Sequence, residues 1–290
     1  MVKGKGRESR QLYVVKANDL IRKTRYSMTA QQQKILLYAI SKIRREDQPE
    51  TEYEINIEEL CDACGIEIGQ TGGFYYQAIK ADLQVLRDRS IWMPTQIGGK
   101  MGEVTVSWLA EAAIVPLCGT VYVTFNKRIA PYLFDLKERY TQYRLENVLV
   151  FKGKYTIRLY EILRSYTTQK DLDAGREVEV MFSLDELREK LCCSKYPRWA
   201  EFNRNVIGRA VDEINACNDE INVSYDVYKT GKFVTKVNFI ISSPRVKQIL
   251  QARYNKRQRL EGQQKKKKAA APSGEQMRMD GLRIDANEQV

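Results

Sequence analysis

Arg198, Arg204, Asn205 and Arg209 fall within one stretch, YPRWAEFNRNVIGRAVDEINAC at 196–217. Guanidinium and amide groups together suit one kind of chemistry, two-point hydrogen bonding to base edges in the DNA major groove: Arg to guanine, Asn to adenine. Lys195 stands just before them, and Asn203 lies among them, nearer the apolar side. One acid, Glu201, interrupts the group, and further on the charge reverses with Asp212, Glu213, Asp219 and Glu220. Cations early and acids late fit a helix whose N-terminal end enters the groove. An ordinary solvated helix face also carries mixed charge.

Other chemistries lack their residues. The chain has no histidine, which removes the usual general base and the usual zinc ligand. Cys61 and Cys64 form a CxxC, but the only other close pair, Cys192–Cys193, has the wrong spacing for a four-ligand zinc site. They read as two small buried residues on a short helix. The Gly-Lys pairs at 99–100, 153–154 and 231–232 are followed by Met, Tyr and Phe, so no phosphate-binding G-x-x-x-x-G-K-[ST] exists. No paired carboxylates stand out. The expectation is a protein that is not an enzyme and needs no cofactor or metal.

The length, 290 residues, suggests two domains. No apolar run is long enough to span a membrane. The start, MVKGKGRESRQ, has no apolar segment of the secretory kind, so a cytoplasmic location is expected. The net charge is +11, of which 245–268 carries +9 and 269–290 carries −2, leaving +4 for 1–244. The basic excess is mostly a tail, so folded contacts must be argued from local clusters.

The elements that would position the cationic stretch can be read in order. Thr29 with Gln32 is a capping box opening a helix to about Ile43. TEYEIN alternates as a strand, and Asn56 with Glu59 starts a short helix that Gly65 ends. A loop with Gly69, Gly72 and Gly73 leads to a longer helix from Phe74 to about Arg89. IWMP, VTVSWLA and TVYVTF then read as strands. The second half repeats the order: helix KYTIRLYEILRSYT, strand EVEVMF, a Ser183/Glu186 cap and short helix, a long helix from Pro197 to Cys217, and a hairpin turning at Gly231. Its long helix should bury Trp199, Phe202, Val206, Ala210, Ile214 and Cys217. Asn56 and Ser183 are offset by 127, as are Leu60 and Leu187; Phe74 and Phe202, and Leu86 and Ile214, are offset by 128.

Two copies of short helix, long helix and hairpin describe an α+β fold of two tandem winged helix-turn-helix domains. Two unrelated small α+β domains sharing the order are the alternative. The assigned domains are a flexible start at 1–16 running into a short extended piece, LYVVKA, a first winged helix at 17–145, a second at 146–245 and a basic disordered tail at 246–290. In copy two the long helix would read bases, while Lys229, Lys232 and Lys236 on the hairpin would meet phosphates. Copy one offers Gln77, Lys80, Gln84 and Arg87, with Asp82 nearby; having fewer cations, it should bind more weakly or more to the backbone.

Several blocks resemble one known family. LYAISKI, TFNKRIAPYLFDL, YTIRLYEILRSY, FSLDELREKL and YPRWAEFNRNVIGRAVDEIN followed by INVSYDVYKTGK are similar to the replication initiator (Rep) proteins of iteron-containing plasmids. The resemblance covers about residues 12–245. It implies two winged-helix domains on repeated duplex sites at a plasmid origin, with base reading over Arg198–Arg209. It further implies origin opening by monomers, recruitment of host replication proteins such as initiator, helicase or clamp, and a homodimer that represses the initiator's own gene. The resemblance places the dimer contact in the strands of about 104–125. We expected Val104, Val106, Val121 and Val123 to carry it, if such a strand lies at a sheet edge. A tandem winged-helix regulator without a replication role would need the same contacts, whereas a DNA-bridging or partition protein would bind without much sequence preference. QMRMDGL at 276–282 loosely resembles a sliding-clamp peptide.

Overall fold

The structure, a computed structural model, describes residues 12–67 and 74–244. The expectations for the tail at 246–290, the clamp-like peptide, the Gly69–Gly73 loop and residues 1–11 fall outside the described residues. Among the described residues no helix is long and apolar enough to cross a membrane.

The first half opens with β1 (Tyr13–Ala17), α1 (Asn18–Lys23) and α2 (Ala30–Ile40). β1 is the extended piece expected at LYVVKA, and Val14 and Lys16 are buried in it. α2 is opened by the full Thr29–Gln32 capping box and is buried nearly all round, Ile35, Leu36, Ala39 and Ile40 included. It stops at Ile40, short of Ile43. β2 (Glu52–Asn56), α3 (Ile57–Cys64) and α4 (Phe74–Asp88) follow. The Asn56 side chain caps α3 by accepting from the Glu59 N–H at 3.0 Å, and Gly65 ends it in the left-handed region at φ +67°. Cys61 and Cys64 are buried on α3, and burial pushes the Cys64 thiol up to about 12.

Four strands come next: β3 (Ser90–Ile97), β4 (Lys100–Ser107), β5 (Leu109–Val115) and β6 (Thr120–Phe125). VTVSWLA, read as one strand, is broken at Trp108. Its indole is buried, edge-on to Tyr26 at 5.3 Å, and the chain changes sheet there. β5 escaped the sequence reading because Ala and Glu have little strand preference.

The second half begins after β7 (Tyr140–Arg144) and α5 (Glu146–Leu149). α6 (Lys154–Arg164), α7 (Gln169–Asp173), β8 (Val178–Ser183) and α8 (Leu184–Lys190) follow. The long helix is composite. α9 (Trp199–Phe202) runs through a π turn at Asn203–Ile207 into α10 (Gly208–Cys217). It starts at Trp199, so Pro197 lies ahead of it and Arg198 is the N-cap. Phe202, Val206, Ala210 and Ile214 are buried as expected, but Trp199 is only partly buried and Cys217, at the helix's last position, is exposed. β9 (Asn222–Thr230) and β10 (Phe233–Ser242) close the hairpin.

The internal repeat is visible in sheet topology. The two three-stranded sheets have orders β2-β6-β5 and β8-β10-β9. In each, the last residue of the first strand is also the N-cap of the short helix: Asn56 opposite Thr120, Ser183 opposite Lys236. By this correspondence the first domain's counterpart of the β9–β10 wing is β5–β6. The β3–β4 hairpin, turning at Gly98 and Gly99 with φ +57° and +77°, is an insertion.

This order also corrects the expected pairing surface. β6 is flanked by β2 and β5, so Val121 and Val123 are core residues at 0% and 1% exposure. Val106 is buried on the inner side of the β3–β4 hairpin, and Val104 packs partly against the core.

Candidate nucleic-acid interface

The site is built on the composite helix. Its apolar face anchors it, and the opposite side presents Arg204 and Arg209 with Arg198 and Lys195 at its head, all exposed. None of these three arginines has an ion pair among the described residues. The π turn arranges them. Its bond runs from the Gly208 N–H to the Asn203 carbonyl, an i→i+5 step. A π turn rotates less per residue than an α-turn, so it narrows the angle between Arg204 and Arg209 around the helix axis. Gly208 permits this: a Cβ there would stand 3.1 Å from the Asn203 carbonyl oxygen and 3.6 Å from the Tyr225 hydroxyl.

The two asparagines are engaged within the protein. The Asn203 side-chain oxygen accepts from the Tyr225 hydroxyl at 2.7 Å, which ties the helix to β9. The Asn205 amide donates to the Glu201 carbonyl at 2.8 Å.

The hairpin's direction follows from its contacts with the helix. Asn215 holds both backbone groups of Val223, at 2.7 and 2.8 Å, while Tyr225 reaches back to Asn203. β9 therefore runs antiparallel to the helix, toward its N-terminal half. Lys229, Lys232 and Lys236 are exposed on the hairpin beyond Tyr225, in the direction of the helix's N-terminal half.

The acids of the second half have structural partners that spacing did not reveal. The Glu213 carboxylate accepts from the N–H groups of Lys152 and Gly153, at 2.5 and 3.2 Å, and from the Thr156 hydroxyl, capping α6. Asp219 pairs with Arg144, and Glu220 receives Asn147, Tyr160 and Arg164. Arg188 was also missed. From α8 it donates to the Pro197 carbonyl at 2.6 Å and lies over the Phe202 ring at 5.3 Å, so it holds the entry to the helix. In the sequence it reads as a solvated charge.

In the first domain Gln77, Lys80, Gln84 and Arg87 are exposed on α4. The last three line a groove against Ala112–Ile114 of β5. Asp82 turns to α2, accepting from the side chains of Gln31 and Gln32 at 2.5 and 2.9 Å.

A tandem pair of winged helices with a cationic helix and an adjoining basic hairpin defines a class of duplex-binding proteins. Residues 13–164 match the family model described as Initiator Replication protein, WH1, and 183–241 match Initiator Rep protein, WH2. The chain belongs to this family of replication initiator proteins.

A "Replication initiation protein" of Escherichia coli is 32% identical over 111 residues, covering 38% of this chain and 33% of the relative. The "PI protein" of Escherichia coli is 26% identical over 148 residues, covering 46% of each. The chain thus spans less than half the length of either curated relative. A solved structure, the Pi initiator protein in complex with iteron DNA, shares the fold with TM-score 0.66 at 19% identity, covering 80% of this chain and 98% of that one.

Proposed function

We propose that this chain is a plasmid replication initiator that binds repeated duplex sites at its origin. The second-domain helix reads bases through Arg198, Arg204 and Arg209, and the lysines of the β9–β10 hairpin grip the flanking backbone. The observation that carries this reading is the direction of the hairpin: β9 runs toward the N-terminal half of the helix, where Arg198 and Arg204 are exposed and have no ion pair among the described residues. Asn203 and Asn205 are secondary contacts, each already holding one internal bond. The α4 residues Gln77, Lys80, Gln84 and Arg87 contact another part of each repeat, mainly its backbone. As a monomer the protein promotes origin opening and recruits host replication proteins. As a homodimer it represses its own gene. Family membership supports this division of labour.

Footprinting the protein on the DNA beside its own gene tests the proposal. Protection of direct repeats about two helical turns apart, next to an AT-rich stretch, is the expected result. Protection confined to one inverted repeat at a promoter would make it a transcriptional regulator instead.

A further inference from the structure

The wing of the second domain ends in an aromatic that base reading and phosphate contact leave unused. β8 pairs with β10 only as far as Lys236, opposite Ser183, whereas β9 and β10 stay paired to Thr230 and Phe233. The end of the hairpin therefore stands clear of the three-stranded sheet. Its turn is Gly231–Lys232, and only Gly231 has positive φ, +62°, the type II′ pattern that keeps a hairpin tightly closed to its tip. At that tip Phe233 is 78% exposed.

Exposed apolar residues are ordinary, and Val227 and Tyr228 of β9 are exposed too, but Phe233 is the most exposed of the three and its surroundings are specific. Lys229, Lys232 and Lys236 flank Phe233, and no acid occurs from Val227 to Lys236. Protein–protein interface cores are depleted in lysine. Stacked bases behind a phosphate rail are the partner that accepts lysine and phenyl together. The hairpin also runs toward the N-terminal end of the arginine-bearing helix, so its tip would meet the same duplex beside the groove that the helix occupies.

We propose that Phe233 is a minor-groove wedge. It enters a base step flanking the site, partly unstacks it and kinks the duplex, while Lys229 and Lys232 hold the adjoining phosphates. The proposal rests on the duplex-binding reading above and adds DNA deformation to it. For an initiator, a wedge beside the repeats would couple binding to distortion of the neighbouring helix.

The test uses the full chain and a duplex of the direct repeats beside its gene, with end-attached fluorophores for bending and 2-aminopurine at each flanking step. Wild type should bend the duplex by ~20–90° and brighten one flanking 2-aminopurine. Phe233→Ala should keep site preference, bind roughly tenfold more weakly, as for one lost aromatic–base contact, and lose most of the bend and the brightening. Phe233→Leu, still an apolar wedge, should retain much of both. Circular dichroism confirms folding, which an exposed tip residue does not threaten. Wild type that binds without bending or brightening any step, or a Phe233→Ala variant that bends like wild type, overturns the wedge alone. Failure of the wild type to bind the repeats overturns the initiator reading itself.

Discussion

Lys16 in β1 and Glu161 in α6 form an ion pair in which each side chain is 1% exposed. Glu161 also accepts from the Tyr143 hydroxyl at 2.5 Å, and Arg158, one turn earlier, donates to the carbonyls of Ile21 and Thr24 at 2.7 Å each. The charge cluster thus ties the first strand and α1 to the helix at the head of the second half. Burial pushes the Glu161 carboxyl up, but Lys16 and Arg158 outweigh it and hold it below the usual carboxylate range. Burial lowers Lys16 despite the pull of Glu161. A depressed carboxylate contributes stability above its unfolded pKa and loses it as pH falls through the folded value. Acid should therefore destabilise the fold below about pH 4.3, the unfolded glutamate value. Glu161→Gln strands two buried cations and should cost about 3–5 kcal/mol at neutral pH, with a shallower acid limb. Adding Lys16→Met should recover part of that loss. Urea melts between pH 3 and 7 check both; an unchanged acid limb in Glu161→Gln would assign the acid loss to other carboxylates.

Arg204 and Lys232 should separate base reading from backbone grip. Arg204→Ala is expected to cost ~1–3 kcal/mol on the specific site and to relax preference at one position. Lys232→Ala should weaken specific and random duplex alike and lower the salt slope by about one ion. Competition binding at two salt concentrations distinguishes them, and equal loss on random DNA for Arg204→Ala would place that residue on phosphate.

Arg188 touches the backbone at the helix entry and should act through it. Arg188→Met keeps the bulk over Phe202 but removes the bond to Pro197. The expected result is weaker specific binding with an unaltered salt slope, because no phosphate contact is lost. A reduced slope would mean that Arg188 itself meets the duplex.

Glu213 offers a contrast with simple charge counting. Removing an acid from a DNA-facing helix should tighten binding on charge grounds alone. Here Glu213 caps α6 through Lys152, Gly153 and Thr156. Glu213→Ala should therefore cost about 1–3 kcal/mol of stability, read by thermal melting. A variant as stable as wild type would show that the cap is dispensable.

What could be read from sequence was local. The Thr29–Gln32 box, the Asn56 and Ser183 caps and the Gly231 turn lie within a few residues of what they control, and each formed. The pairing of β2 with β6 and the Lys16–Glu161 contact join residues distant in the chain, so spacing gave no sign of them. α6 shows why: Arg158, Glu161 and Arg164 look like a polar stripe in KYTIRLYEILRSY, yet all three are buried with specific partners. The arginines of the second-domain helix were legible as a cluster. The π turn between Arg204 and Arg209 was not, since residue spacing alone does not signal an i→i+5 bond, although the crowding around Gly208 suits a residue without a Cβ.

The last prediction moves the proposed dimer contact from β6 to β5. A central strand has both edges occupied, so Val123→Glu places an unpaired charge in the core and should unfold the first domain, costing about 4 kcal/mol or more. β5, like β2, is an edge of its sheet, and an edge presents unpaired backbone groups to a second copy. Beside it Val115 is 36% exposed, and Leu117, in the following turn, is 101% exposed. Symmetric pairing centred on the C-terminal end of β5 would bring these apolar side chains of two copies near a twofold axis. Val115→Lys with Leu117→Lys sets like charges there without disturbing the core, so the variant should fold, remain monomeric and lose binding to an inverted repeat. Direct-repeat binding should stay at least as strong as in wild type. Sedimentation of the wild type and the double variant reads the outcome: a variant that dimerises as tightly as wild type would show that β5 is not the pairing edge.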